Sequence, residues 1–578
     1  MCEEIKCGLL ESSEINYKIV KAWMESIKNL QFMMRSKIDI ATFEFLMAGN
    51  EYINDESFNI EYCITDKPEK DISIPPITMC LWGNLSKNLR HKGMDLPEIG
   101  LSFELPPDLI RINCAVRILH SLFDFATPSF CATSLPKFFS LGNIPTQETY
   151  FETLLKDIYS ENYSQHKDIH KEETVLGKSA PAAGKLAAAV ENALTAKVDS
   201  EKTSPAMVFT PPEEPEITIV DHCEYFVVGG FYHFDLLQLP TPTVKVDCWI
   251  FTYCEDKVLK HIPYHTSIIP IRHPKPDMSP AVAAEFADSE IKRFDKEMCS
   301  AISISIQLSE EILFLEQPLP AFWLEDRKGF TTIGFYETKH DEDTGRLFFK
   351  TNHFGIIGML QRKYNNMPYQ SWELTSEGQA NCASLFITGM HVGIQIEILD
   401  SECCIKKIEQ DGKSLFPNCY TIWMSPDKLV KKLAFMGINI TVENDVDKYI
   451  ETSKKEETME SWTFSCMSVL CHSFNFYWSR WNATLPKDQI VLKYRPQDSD
   501  EPEKFSHILI MPDNSVVIKC AESHSKFCDD PADGEKKWKD LYHLVKERSE
   551  EEIPFAKHFE FVNAVYFLLS TCKLFSCS

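Results

Sequence analysis

One short stretch comes closest to metal chemistry: His261 and His265 flank Ile262-Pro263-Tyr264, with His273 and Asp277 downstream. Three imidazoles folded around one point can hold zinc with an open position, where a bound water becomes a hydrolytic nucleophile. Four prolines in the same stretch (Pro263, Pro270, Pro274, Pro276) argue instead for a connection between strands, and no metal is expected there. The cysteines show no C-x-x-C spacing. Cys466, Cys471 and His472 fall on one apolar segment, and adjacent Cys403 and Cys404 point their side chains apart. No glycine-rich phosphate cradle ends in Gly-Lys-Ser/Thr, no G-x-G-x-x-G or G-x-S-x-G elbow occurs, and Gly229-Gly230 reads as lying between strands. None of the many carboxylate pairs has a spacing that singles it out. The residues therefore give no catalytic, cofactor or metal site, and an enzyme is not expected.

Two features read as binding surfaces. Lys87-Asn88-Leu89-Arg90-His91-Lys92 follows a strand, with Lys87, Arg90, His91 and Lys92 in six positions; a second, weaker basic stretch carries Lys428, Lys431 and Lys432. The whole chain has 59 basic against 85 acidic residues, a net charge of −26. A molecule that acidic repels phosphate backbones and anionic membrane surfaces in bulk, so neither nucleic acid nor membrane is expected as a partner. An acidic protein partner would have to be met through such a local patch, since nearby charge dominates within a Debye length of ~8 Å. Aromatic residues cluster at Met367–Leu374 and Phe474–Asn482. Tyr369, Trp372, Trp478 and Trp481, with Trp82 near the basic run, are candidate core or interface anchors.

These residues need elements to position them. At 578 residues the chain has room for several domains, and its 44% hydrophobic and 25% charged content is ordinary globular usage. Its 20 cysteines, many in apolar segments (Cys80, Cys114, Cys248, Cys466), read as reduced buried thiols, and Met1–Lys6 opens without a signal-peptide pattern. No run is long enough to span a bilayer; Cys466–Trp478 and Phe559–Phe575 read as buried helices. The fold class expected is α+β and multidomain, with N-terminal helices, central antiparallel β-sandwich modules and a C-terminal mixed α/β domain. A helical region occupies 1–60. A strand–helix module spans 72–130, with strands at Ile77–Leu85 and Ile99–Leu105 and a helix at Ile110–Phe125. A flexible linker with an Ala-rich helical piece at 182–197 covers 160–216. A β module at 217–300 pairs with 72–130 across that linker. A β-sandwich spans 301–412, where Ile302, Ile304 and Ile306 alternate with Ser303 and Ser305, and Asp343-Thr344-Gly345 makes a hairpin. A mixed domain fills 413–578, with a helix capped by Ser425-Pro426 and closed by Gly437, a strand at Ile438–Val442 and a helix at Trp538–Lys546.

Six segments together resemble the axonemal dynein intermediate chain 7 family, also called the cancer susceptibility candidate 1 family. They are Leu81–Asn88 with Arg90-His91, Ala115–His120, Gly229–Asp235, Met367–Leu374, Tyr477–Asn482 and Phe561–Thr571, in the family's order. The family typically opens with a long Glu/Lys/Arg-rich helical segment, whereas this sequence opens on the Ser12–Ile53 helices. The resemblance implies a non-catalytic accessory subunit of an inner-arm axonemal dynein. Its implied partners are dynein heavy and intermediate chains and tubulin, and its implied place is the cytoplasm and the axoneme of a cilium or flagellum. On that reading Lys87, Arg90, His91 and Lys92 are the candidate tubulin contact. Without the ordered segments, the same residues suit a cytosolic β-sandwich scaffold in signalling or the membrane skeleton.

Overall fold

The computed structural model describes residues 17–67, 76–122, 217–241, 244–251, 258–265, 279–376, 381–443, 445–497, 505–546 and 559–578. One compact unit takes in Met33–Thr127 and Ile217–Ser578; the other takes in Met1–Phe32 and Pro128–Glu216. Of the latter, Tyr17–Phe32 is described, as the first half of helix α1 (Tyr17–Met47). The expected linker at 160–216 and its Ala-rich helix lie outside the described residues.

The first half of the large unit runs through β1 (Ile60–Thr65), β2 (Ile77–Gly83), β3 (Gly93–Leu96), β4 (Leu101–Glu104), α2 (Pro107–Ile110), β5 (Cys114–Ser121) and β6 (Tyr225–Gln238). A small hairpin, β7 (Val244–Val246) with β8 (Trp249–Phe251), and helix α3 (Pro280–Cys299) come next. Then follow β9 (Ile302–Gln307), β10 (Leu319–Leu324), β11 (Gly329–Thr331), β12 (Phe335–Asp341), β13 (Arg346–Thr351) and β14 (Gly355–Arg362). They build two antiparallel sheets, ordered β1-β2-β5-β6-β14-β10-β11 and β12-β13-β9-β4-β3. Ile302, Ile304, Ile306, Leu347, Phe349, Leu101 and Phe103 from the five-stranded sheet meet Trp82, Val116, Ile118, Phe234 and Ile357 from the seven-stranded one in a shared core. Each such side chain contributes about 1.5–3 kcal/mol on burial, which makes the pair of sheets a sandwich.

The helix expected at Ile110–Phe125 is a correction: within it Cys114–Ser121 forms strand β5, and residues 123–125 lie outside the described residues. All eight residues of β5 are buried, so the one-sided alternation that marks a half-exposed strand is missing. Cys114, Val116 and Ile118 face the sandwich core, and Ala115 and Leu119 face the other side, toward α1. β5 pairs with β6 from Cys114↔Gln238 to Ser121↔Phe231, so the intervening chain leaves and re-enters the same sheet. Gly229 and Gly230 lie inside β6 rather than between strands, where its register with β14 shifts. Both have positive φ, and a Cβ on Gly230 would sit 2.7 Å from the Ser121 carbonyl oxygen. The α1 helix lies on the outer face of this sheet: Leu46 packs on Ile60 and Ala115, and Met34 and Ile38 pack near Met79 and Leu119.

Not all cysteines are thiols. Cys63 and Cys80 oppose one another across β1 and β2, Cα to Cα 4.2 Å, and form a disulfide. Directly opposed positions on adjacent strands bring two Cβ atoms close without any help from loop spacing, which is why the sequence alone gave no sign of the pair.

The second half is a nine-stranded antiparallel sheet backed by helices. Its elements are β15 (Ser371–Ser376), β16 (Cys382–Thr388), β17 (Gly393–Leu399), β18 (Glu402–Gln410), β19 (Lys413–Leu415), α4 (Pro426–Phe435), α5 (Glu457–Leu470), β20 (Phe474–Tyr477), β21 (Ile490–Pro496), β22 (Ser506–Ile510), β23 (Ser515–Ile518), α6 (Leu541–Lys546) and α7 (Phe559–Cys572). The order is β19-β18-β17-β16-β15-β20-β21-β22-β23. The strands expected to form one sandwich over 301–412 are thus divided: β9–β14 join the N-terminal strands, and β15–β19 join the C-terminal ones. Cys466–Trp478 is not one helix, because α5 ends at Leu470 and Phe474–Tyr477 is the strand β20. Ile438–Val442 belongs to no ladder, although Ile438, Ile440 and Val442 are buried; the Val442 amide donates to the Thr571 carbonyl. Pro426 does open α4 behind Ser425, and Gly437 (φ +88°) follows its end. The α+β class holds throughout, with every ladder antiparallel.

Candidate functional site

The basic run forms the loop from β2 to β3. Its backbone is fixed from below: the Asn84 side chain accepts from the Lys87 amide at 3.1 Å and donates to the Ile110 and Ile112 carbonyls. Asn59 Oδ1 accepts from the amides of Leu85 and Ser86. Lys87, Arg90 and Lys92 are exposed and His91 is half-buried. Lys92 spends its charge on Glu104, 2.6 Å away. On α4 the three lysines do not share a face: Lys432 is buried, and Lys431 faces Asp427 at 3.8 Å. The aromatic candidates lie mostly inside. Trp82, Tyr369, Trp372 and Trp481 are buried and Trp478 is half-buried. Trp82 meets Phe103 edge-on, Trp372 meets Phe575 edge-on, and Arg480 stacks over Trp481.

His261 is exposed and sits 4.0 Å from Asp235; His265 contributes its carbonyl to a bond from the His353 ring. His273 and Asp277 lie outside the described residues. Among the described residues, three potential metal-ligand atoms converge at Cys63, Cys80 and Glu98 instead.

A further cluster of charge, which no local spacing in the sequence marks, lies on the outer face of the seven-stranded sheet. A cleft of about 320 Å³ opens between α1 and the outer face of the seven-stranded sheet, lined by Arg35, Asp39, Arg117, His233, Asp235 and His261. Its floor is an ion-pair lock. The Arg117 guanidinium, 6% exposed, donates twice to Asp235 Oδ2 (2.9 and 2.8 Å), once to Asp39 (2.6 Å) and once to Thr42 (3.0 Å). Strand β5 supplies the arginine, β6 the first carboxylate, and α1 the second carboxylate and the hydroxyl. Burial alone would lower the Arg117 pKa, but Asp235 and Asp39 hold it above its usual value. Burial likewise works against the Asp235 carboxylate, and Arg117 outweighs it, so Asp235 stays below the ordinary range. Beside it, burial, with Arg35 and Arg117 adding to it, pushes the His233 imidazole down to about 4 despite Asp235. Neutral His120, also lowered by burial, donates from Nε2 to the Gly229 carbonyl at the bulge. The arrangement fastens a helix to a sheet through fully partnered charges.

Arg117 and His120 belong to the Ala115–His120 segment, and His233 and Asp235 to Gly229–Asp235, two of the six segments that carry the family resemblance. Residues 2–90 match the sequence profile described as Cancer susceptibility candidate 1 N-terminus, and residues 327–531 match Cancer susceptibility candidate 1 C-terminal. The chain belongs to the cancer susceptibility candidate 1 family. Its similarity to curated relatives runs along all or nearly all of this chain and about three-quarters of theirs. It is 25% identical to mouse (Mus musculus) dynein axonemal intermediate chain 7 over 100% of this chain and 80% of that protein. With the Danio rerio protein of the same name it shares 26% identity over 92% and 73% of the two chains. With the Ciona intestinalis dynein axonemal intermediate chain 7 homolog it shares 28% over 92% and 74%. The family's N-terminal match takes in Trp82 and the loop as far as Arg90. Its C-terminal match takes in Trp372 and Trp481. Of the ion-pair lock, Asp39 and Thr42 fall inside the N-terminal match, and Arg117 and Asp235 fall between the two, in the stretch that the alignment with the mouse relative also spans. No helix among the described residues is long and apolar enough to cross a membrane.

Proposed function

We propose that this protein is a non-enzymatic accessory subunit of an axonemal, inner-arm dynein complex in cilia or flagella, binding tubulin and dynein subunits. The observation that carries the proposal is the similarity, along all or nearly all of this chain, to relatives named dynein axonemal intermediate chain 7. The architecture is compatible with such a role: a rigid sandwich and a helix-backed sheet present loops at fixed positions. The tubulin contact is assigned to Lys87 and Arg90, whose charges point to solvent, with His91 beside them; Lys92 contributes less because Glu104 neutralises it. The test is co-fractionation with salt-extracted axonemes. A dynein subunit leaves the axoneme with a dynein heavy chain at the same salt step. Recovery in the soluble cytosol, with no heavy chain alongside, would favour the scaffold reading instead.

A further inference from the structure

We propose that Cys63 and Cys80 are a reversible thiol–disulfide site, taking small disulfides of the glutathione class as substrate, that clamps the edge strand β1 and the end of α1 docked on it. Three observations support the assignment. First, the two residues are directly opposed in register, Cys63↔Cys80, so forming the bond needs no backbone travel. Second, β1 is the outermost strand of its sheet: it forms a ladder with β2 on one side, and on the other only the single bridge Ile53↔Ile60 and the bond from the Glu61 amide to the Tyr52 carbonyl hold it. It carries Ile60, packed with Leu46 of α1, and Tyr62, stacked on Phe45 with centroids 4.5 Å apart. A covalent link at Cys63 therefore holds the platform on which α1 ends. Third, the pair is distinct from its neighbours. The other described cysteines lie outside this bond, ten of them buried, and burial holds thiols such as Cys403, Cys471 and Cys572 up at about 12, where they do not react. Cys63 is half-buried and reachable from solvent, while Cys80 beneath it is 1% exposed.

The chemistry follows from that placement. The Cys63 thiolate attacks one sulfur of glutathione disulfide and expels a glutathione thiolate. The Cys80 thiolate then attacks Cys63 Sγ in the mixed disulfide and expels the second. One protein S–S bond forms and one glutathione S–S bond breaks; two electrons pass to glutathione, and the two cysteine protons end on its two thiols. Glu98, on the turn between β3 and β4, has a carboxylate oxygen within 4.8 Å of both sulfurs. Its negative charge disfavours the attacking thiolate and slows the first step. In a reducing cytoplasm or axoneme, the location taken from the proposed function, the resting form is the dithiol. The chemistry itself does not depend on that location.

The test uses the purified full chain in buffers of stepped reduced-to-oxidised glutathione ratio, with alkylation and peptide mapping by mass spectrometry. The expected result is a linked Cys63–Cys80 peptide that appears and disappears with the ratio, fully reversed by excess reduced glutathione. Glu98→Gln should quicken its formation about twofold, since it removes the negative charge beside the two sulfurs. Hydrogen exchange over Ile60–Thr65 should slow several-fold on oxidation. Cysteines that stay alkylatable in oxidised glutathione alone, or that collect only separate glutathione adducts, would overturn the site. So would added zinc that blocks alkylation without forming the linked peptide, which would make Cys63, Cys80 and Glu98 metal ligands. Equal exchange of β1 in both forms would overturn the clamp. Failure to co-fractionate with axonemes would touch none of these results.

Discussion

Removing Asp235 should loosen the sheet at its centre. In Asp235→Ala the Arg117 guanidinium, 6% exposed, loses two charge-assisted bonds and keeps Asp39, itself 33% exposed, and Thr42. Breaking a buried pair from one side costs about 3–5 kcal/mol, because the remaining charge stays desolvated. Replacing both partners by apolar residues of similar volume, Arg117→Met with Asp235→Leu, removes the stranded charge and should cost much less, so the two single changes should be strongly non-additive. A chain with two sheet systems need not unfold in one step, which makes a global midpoint a blunt measure. Hydrogen exchange of the Cys114–Ser121 amides reads the affected strand directly. A loss of about 3 kcal/mol corresponds to roughly 150-fold faster exchange there. An Asp235→Ala protein whose β5 amides exchange within about fivefold of the wild type would refute the reasoning. So would a double variant whose loss equals the sum of the single ones.

Buried neutral histidine adds a pH dependence. Below pH ~6.5 the unfolded chain takes up a proton that folded His233, lowered to about 4, refuses, so stability is complete above ~6.5 and is lost as pH falls toward 4, by about 3 kcal/mol for this one group. His233→Gln should flatten the measured stability–pH curve in that window, and an unchanged slope would contradict the assignment. At the basic loop, Lys87→Ala with Arg90→Ala should reduce microtubule co-sedimentation steeply at low salt while sparing the thermal midpoint. Trp82→Ala should instead cost about 3–5 kcal/mol of stability, as the ring is 1% exposed in the sandwich core. Equal pelleting of the double variant at two salt concentrations would move the contact elsewhere. Replacing residues 160–216 by a short Gly/Ser bridge should leave the thermal midpoint within a few degrees, since their composition offers little apolar surface to bury; a collapse of stability would show that they pack on the core.

What could be read in advance was whatever repeats locally. The Ile302/Ile304/Ile306 alternation requires a strand with one wet face, and Ser425-Pro426 with Gly437 frames a helix; both features stand in the structure. Strand β5 could not be read this way, because a strand covered on both faces has no period to show. Arg117 and His120 even sit three apart, like neighbours on one helix face, whereas on the strand they point to opposite sides. The ion-pair lock was further out of reach: Arg117 and Asp235 are separated by 118 positions, and no local spacing links them. The one usable signal was that both fall in segments already set apart by the family resemblance. The basic loop was legible from charge alone, but the neutralisation of Lys92 by Glu104 depends on the β3–β4 hairpin folding back beneath it.

The route of the chain through the seven-stranded sheet sets terms for its synthesis. Strand β5 ends at Ser121, yet its neighbour β6 begins at Tyr225, and β14, which seals the far side of β6, ends at Arg362. At about 5–20 residues per second, the ribosome needs roughly 10–50 s to pass from the end of β5 to the end of β14. During that interval β1, β2 and β5 have only one another to pair with and no completed core to enter, so Trp82, Val116 and Ile118 on their inner face stay uncovered. Such a nascent chain is a client for chaperones throughout its own translation, and a chain truncated before Arg362 would be expected to aggregate rather than fold in part.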